Sequence, residues 1–306
     1  MINKLTMKSA GWVFFVSYAT GIVLTAWMNQ NGNQHHENLM WFLGYVMVGQ
    51  IIINLLPAIM WCYYQKLSFR TVFRLHKVSL RNVLLSLVIF ALSQVILLFL
   101  HQVTEVFSLF IGVSYETSSY PVANSLFSFC ILLLSIGIIP PICEELLFRG
   151  ALITGFEKRG LILAAVMSSF LFALFHDNPY RLVELFASAL VSSLLVIKSG
   201  SIIPGIIVHL ITNSSFVINS YLIGGDMLES ITKPEGPSGS VMLITGCAAL
   251  IVFFVCKWLF TLFDSPKKDW EEEKMKKKTA FSLSSFGWFL PILLSVLIFI
   301  FKFIYL

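Results

Sequence analysis

The chain has 306 residues, of which 57% are hydrophobic and 12% are charged, and its mean hydropathy is +0.84. Soluble domains carry about 25% charged residues, so this composition excludes a soluble protein and predicts a polytopic membrane protein. The net charge of +5 is explained by basic loops that orient membrane helices, and it does not call for a nucleic-acid partner.

Apolar runs in the sequence predict an all-α fold, a polytopic transmembrane helix bundle of about 8–9 spans. The predicted spans are 10–28, 39–64, 82–101, 122–156, 160–176, 181–197, 201–223, 240–263 and 284–305. They divide into three parts. Residues 1–121 hold the N-terminal helices and a basic loop, and residues 122–223 form a core. Residues 224–306 hold an external loop, a charged cytoplasmic linker and two C-terminal helices.

The distribution of Lys and Arg predicts the orientation of the chain in the cell membrane. With the N-terminus in the cytoplasm, 17 of the 21 basic residues fall on the cytoplasmic side, and the C-terminus is external. This alternation requires residues 122–156 to cross the membrane once. The basic loop at 65–81, with Phe69, Val72, Phe73 and Leu75 interleaved, is expected to form an interfacial helix or a lipid-facing collar.

Three charged residues, Glu144, Glu145 and Arg149, stand inside the apolar run 122–156. Each such charge costs about 2.5–3.5 kcal/mol in lipid, so intramembrane charges indicate a functional site. Glu145 and Arg149 are four residues apart with the acid first, which predicts an ion pair on one helix face. Glu144 is turned away by about 100° and has no intrahelical counter-ion. We therefore predict that Glu144 is the reactive carboxylate and that Glu145 and Arg149 support it.

Pro140 and Pro141 precede this charge cluster. Proline has no backbone N–H and leaves carbonyls about one turn earlier without a donor, here near Ile136 and Gly137. The prolines therefore predict a kink or a break just before Glu144.

Two further polar pairs with helical spacing follow downstream. Phe172 and His176 close the fifth predicted span, and His209 and Asn213 lie inside the seventh. Counted from the cytoplasmic ends at ~1.5 Å per residue, Glu144 lies about 18 Å deep, His209 about 13 Å, Asn213 about 20 Å and His176 about 24 Å. These depths overlap, so we expect the three helices to share one cavity.

The motifs occur in a fixed order along the chain: Glu144-Glu145-x-x-x-Arg149, Phe172-x-x-x-His176 and His209-x-x-x-Asn213. This ordered set resembles the signature of the CPBP family of intramembrane proteases, which includes the type II CAAX prenyl endopeptidases and bacterial Abi proteins linked to bacteriocin processing. The resemblance covers residues 122–223. It implies an enzyme that hydrolyses a peptide bond in a membrane-embedded, hydrophobic or lipid-modified peptide.

The resemblance also implies a role for each motif residue. Glu144 would be the general base that activates a water, and His176 would orient that water. His209 and Asn213 would donate hydrogen bonds to the developing oxyanion, a role worth about 2.7–4 kcal/mol per donor in soluble proteases. The supporting residues would be Glu145, Arg149 and Phe172.

A metal-free mechanism is favoured, so no cofactor is expected. The chain has no His-Glu-x-x-His motif, and its five cysteines show no Cys-x-x-Cys spacing. Zinc is the alternative, and its ligands would then be Glu144, His176 and His209.

Two other functions stay open at this point. The first is a non-proteolytic membrane scaffold that regulates an envelope enzyme or a sensor, with a membrane protein as partner. The second is a proton-coupled transporter that uses the intramembrane glutamate. In each case the lipid bilayer is the surrounding partner.

Overall fold

The computed structural model describes residues 6–31, 39–111, 122–223, 236–264 and 289–305. Every regular element in these ranges is a helix, which confirms the predicted all-α class. Most of the predicted external loop at 224–239 and of the charged linker lies outside the described residues.

Ten helical elements follow one another along the described chain. They are α1 (Met7–Asn31), α2 (39–64), α3 (Phe69–Val72), α4 (Leu80–Phe110), α5 (Leu126–Arg159), α6 (Leu161–Phe175), α7 (Leu182–Ser199), α8 (Ile203–Ile223), α9 (Gly239–Leu259) and α10 (Phe289–Tyr305).

Each of the nine predicted spans contains one of the longer helices. Seven of these helices are long and apolar enough to cross a membrane, and the long run through 122–156 is among them as one continuous element, α5. The remaining two, α6 and α10, have 15 and 17 residues. At ~1.5 Å per residue they are shorter than the ~30 Å hydrocarbon layer.

Helix α4 is longer than predicted. The apolar pattern placed its end at His101, but the helix continues to Phe110. The polar residues that interrupt the pattern are paired with neighbouring helices: His101 Nδ1 lies 2.9 Å from Glu184 Oε1, and Thr245 Oγ1 donates to Gln102 Oε1 at 2.6 Å. The helix therefore tolerates polar side chains that, unpaired, would be costly in lipid.

The main hydrophobic core surrounds the second half of α5. Phe148 lies on α5 with its ring centroid 6.3 Å from Phe14 of α1 and 5.1 Å from Phe172 of α6. All three rings are buried in one cluster. This part of α5 is therefore enclosed by protein rather than by lipid, and the charged residues that it carries face other helices.

The loop at 65–81 contains the short helix α3, but the expectation that its apolar residues face lipid is wrong for Val72 and Phe73, which are buried. Phe73 is buried against Gly150 of α5, and the guanidinium of Arg74 pairs with the carboxylate of Glu157. These inward contacts anchor the loop to the end of α5, because a buried arginine needs a counter-ion. The apolar residues of the loop that face outward as predicted are Phe69 and Leu75.

Replacing Gly150 by Ala is expected to destabilise the fold. The added Cβ would lie 2.8 Å from Phe73 Cδ1 and 3.1 Å from its Cα, so backbone must move. Overpacking of this kind costs about 1–3 kcal/mol. The apparent melting temperature in detergent should fall for Gly150→Ala. Gly44→Ala is the matched control, since nothing lies within 4 Å of its added Cβ; equal melting temperatures for the two variants would contradict the prediction.

Candidate active site

Helix α5 changes its winding around the charge cluster. A regular α-helical stretch, Ile139–Glu145, lies between two π-helical stretches, Leu133–Ile138 and Leu146–Leu152. π-helical turns inside α-helices occur frequently at functional sites. The irregularity predicted from Pro140 and Pro141 is therefore present just before Glu144, although the helix continues through it.

The carbonyls that the two prolines leave without donors are bound by α8. Asn213 Nδ2 donates to the carbonyl oxygen of Ile136 at 3.1 Å, and Ser214 Oγ donates to that of Gly137 at 3.4 Å. The Ile136 carbonyl lacks donors both four and five residues ahead, since both of those positions are proline. Gly137 permits the close approach, because a Cβ there would lie 2.9 Å from Ser214 Oγ. The two prolines thus leave carbonyls through which α5 is hydrogen-bonded to α8. These hydrogen bonds fix the position of Asn213.

The predicted ion pair of Glu145 and Arg149 is present and fully buried. Glu145 Oε1 lies 2.9 Å from Arg149 Nη1 and 3.0 Å from His209 Nδ1. Ser192 Oγ donates to Glu145 Oε2 at 3.3 Å. The same carboxylate leaves no room for a larger residue at Gly205, where a Cβ would stand 2.5 Å from Oε2. Glu145 therefore orients His209 as well as pairing with Arg149, which the spacing did not predict.

Glu144 and His209 face each other across the centre of the site. His209 Nε2 lies 3.8 Å from Glu144 Oε2. Because Nδ1 donates to Glu145, Nε2 is the nitrogen that is presented to Glu144. Glu144 is buried, and its Oε2 accepts no hydrogen bond from the described residues. This oxygen is thus positioned as the reactive atom of the predicted base.

Phe172 connects the two histidines and the arginine. Arg149 Cζ lies 4.5 Å above its ring, a cation–π contact. Its ring centroid is 4.5 Å from that of His176 and 5.7 Å from that of His209. The backbone carbonyl of Phe172 also accepts a hydrogen bond from His176 Nδ1 at 2.9 Å. Phe172 therefore holds both imidazoles, consistent with the supporting role expected for it.

The structure brings most of the predicted residues into one network. Glu144, Glu145, Arg149, Phe172 and His209 are linked by direct contacts. His176 joins this network through its ring contact and its hydrogen bond with Phe172, and Asn213 lies one turn beyond His209 on α8. The catalytic roles of these residues stay predictions.

Two contacts to the carboxylates come from residues that the motif analysis missed. Gln50 Nε2 of α2 donates to Glu144 Oε1 at 3.4 Å, and Ser192 of α7 donates to Glu145. The signal for the first was available, because Gln50 and Asn54 are polar residues four apart inside the second apolar run.

The zinc alternative names Glu144, His176 and His209 as ligands. In the described ranges, no group of three or more His, Cys, Asp or Glu side chains is placed to hold a metal ion. The Nδ1 atoms of His209 and His176 are directed to Glu145 and to the backbone of Phe172. Metal-free chemistry stays a prediction.

Comparisons with known proteins match the part of the chain that carries the site. Residues 125–215 match a family model described as Rce1-like, type II CAAX prenyl endopeptidase Rce1-like. Over 84 residues the chain is 36% identical to an Escherichia coli protein described as uncharacterized 24.3 kDa protein, and the alignment covers 26% of this chain and 39% of that protein. No solved structure matches the chain. All predicted site residues lie inside the matched family segment.

Removing the buried counter-ion should be far more damaging than removing an exposed one. Arg149→Met leaves the buried Glu145 carboxylate without its cation, which costs about 3–5 kcal/mol. Arg81→Met is the control, because its pair with Asp264 at 3.0 Å is exposed and worth about 0.2–1 kcal/mol. Unfolding in a mixed-detergent titration measures both. Equal stability of the two variants would show that the buried pair is not needed.

Proposed function

We propose that this chain, whose segment 125–215 belongs to the CPBP/CAAX protease family, is an intramembrane endopeptidase. Its substrate would be a membrane-embedded, hydrophobic or lipid-modified peptide. The observation that carries the proposal is the buried pair of Glu144 Oε2 and His209 Nε2, 3.8 Å apart, inside a helix bundle built for lipid. A carboxylate beside an oriented imidazole is the arrangement that general base catalysis requires.

The first step of the proposed reaction is the attack of water on the scissile carbonyl. Glu144 Oε2 takes a proton from the water while the water oxygen bonds to the carbonyl carbon. His176 orients this water. Negative charge then develops on the carbonyl oxygen, where His209 Nε2 donates a hydrogen bond when the ring carries both protons. Glu145 accepts the hydrogen bond from Nδ1 of His209. This contact keeps Nε2 turned toward the scissile carbonyl.

The second step breaks the carbon–nitrogen bond. The tetrahedral intermediate collapses, and the proton held by Glu144 passes to the leaving amine nitrogen. Asn213 can take part in stabilising the oxyanion because its amide nitrogen carries two hydrogens and only one is bound to the Ile136 carbonyl. The products are a free carboxylate and a free amine.

An apolar groove with a volume of about 310 Å³ lies between α1 and α2. Its lining ends at Gly49, directly before Gln50, whose amide reaches Glu144. The lining residues are Leu24, Trp27, Gly44, Tyr45, Val48 and Gly49.

The proposal predicts loss of cleavage when the base is removed. Glu144→Gln keeps the shape of the side chain but cannot accept the proton, so kcat/KM should fall by about 10²–10⁴. His209→Ala should lower kcat by about 10²–10³. A substrate can be found by comparing membrane peptides from cells with the wild-type and the Glu144→Gln protein, and cleavage is then measured in proteoliposomes.

The matched control is Glu184→Gln, the same change at a glutamate in the first turn of α7 that pairs with His101 of α4. It should cleave like the wild-type protein. If Glu144→Gln cleaved undiminished, the endopeptidase proposal would be wrong. If that variant also complemented a deletion fully, the scaffold hypothesis would replace it, while proton flux into liposomes would support the transporter.

The metal-free mechanism predicts that chelators leave cleavage unchanged. Treatment of the purified protein with 1,10-phenanthroline should not alter kcat, because each step uses only side chains of this chain. Loss of cleavage that zinc restores would overturn the glutamate mechanism and leave the endopeptidase assignment intact.

The cytoplasmic N-terminus, the external C-terminus and a link to bacteriocin processing also stay predictions.

A further inference from the structure

We propose that Gln50 is a positioning residue for Glu144 and that Asn54 holds Gln50 in its working orientation. This inference rests on the proposed function, because it concerns the same carboxylate. Both residues lie on α2, outside the segment 125–215 that matches the family model.

The contacts form a directed chain of three side chains. Asn54 Nδ2 donates to Gln50 Oε1, and Gln50 Nε2 donates to Glu144 Oε1 at 3.4 Å. Because Asn54 occupies the oxygen of the Gln50 amide, the NH₂ end of that amide is turned toward the carboxylate. Reversing the amide would break both hydrogen bonds.

The backbone of α2 is shaped to bring the pair inward. Gln50 ends the α-helical stretch Leu39–Gln50, and Asn54 lies in the π-helical stretch Ile51–Leu55 that follows. This stretch packs against Ile139–Glu145, the part of α5 that carries Glu144, and against the π-helical stretch Leu146–Leu152 that follows it. The irregular turn in α2 thus meets one of the two irregular turns in α5.

The pair is expensive unless it has a function. Asn54 is 1% exposed, and its Oδ1 has no hydrogen-bond partner among the described residues. A buried amide with an unsatisfied oxygen is destabilising, and apolar residues would serve α2 better as a membrane span. We infer that this cost is offset by the hydrogen bond that Gln50 donates to Glu144.

The consequence for the chemistry is a choice between two carboxylate oxygens. Gln50 occupies Oε1 of Glu144, so Oε2, which faces His209 Nε2 at 3.8 Å, is the oxygen that accepts the proton from water. The hydrogen bond also fixes the plane of the carboxylate. Misplacement of a reacting group by about 1 Å can cost a factor of about 100 in rate.

The test is Gln50→Met, which keeps the length of the side chain and removes the donor. We expect kcat to fall by about tenfold to a hundredfold with KM unchanged. Gln94→Met is the control: Gln94 donates to the Phe90 carbonyl of its own helix and should behave like the wild-type protein.

Asn54→Leu provides a second variant in case Gln50→Met folds poorly. It should show the same fall of kcat at unchanged KM in weaker form, and the double variant should lose no more than Gln50→Met alone. Unchanged kcat in both variants, or additive losses, would overturn the inference. If Glu144→Gln measured alongside them still cleaves, the proposed function itself fails; if it is inactive while Gln50→Met is normal, only this inference fails.

Discussion

The buried carboxylate of Glu145 is the interaction on which the rest of the site depends. A charge fully removed from water is tolerated only when its partners satisfy it, and here Arg149, His209 and Ser192 do so from three helices. Arg149 in turn donates to the carbonyl of Ala189 on α7 and lies over a ring of α6. The need to satisfy one ion pair thus fixes how α5, α6, α7 and α8 pack together.

The irregular backbone of α5 is the second constraint. Helix α8, which also carries His209, supplies the hydrogen bonds that this backbone needs. Free carbonyls cannot be left in hydrocarbon, so the two that the prolines expose must find donors. Asn213 and Ser214 of α8 supply them. His209 lies one turn before Asn213 on α8. The hydrogen bonds from α8 to the free carbonyls of α5 therefore also set the distance between His209 and Glu144.

The terminal helices take part in this arrangement rather than only anchoring it. The turn after His176 is held by Asp177, a residue with a positive φ of 55°. Tyr18 of α1 donates to Asp177 Oδ1 at 3.0 Å, and the ammonium of Lys302 on α10 pairs with its other oxygen. Gln50 of α2 contacts Glu144, while Tyr18 and Lys302 contact the turn after His176. Helices outside the matched family segment therefore contact the site at two places.

The sequence by itself determined what depends on local composition and spacing. The apolar runs predicted the helical segments because about 20 apolar residues are needed to cross the bilayer. The i, i+4 spacing predicted the pair of Glu145 and Arg149, and the prolines predicted which carbonyls lose their donors. These features follow from the geometry of a single helix, so no neighbour was needed to infer them.

The tertiary structure alone decided which side chains from different helices meet. A membrane helix is apolar on nearly all sides, so its periodicity does not reveal how it is rotated against its neighbours. That is why the end of α4 was placed too early and why the loop before it was assigned to lipid. The orientation of His209 by Glu145, and the approach of Gln50 to Glu144, exist only because helix rotation and packing place those atoms together.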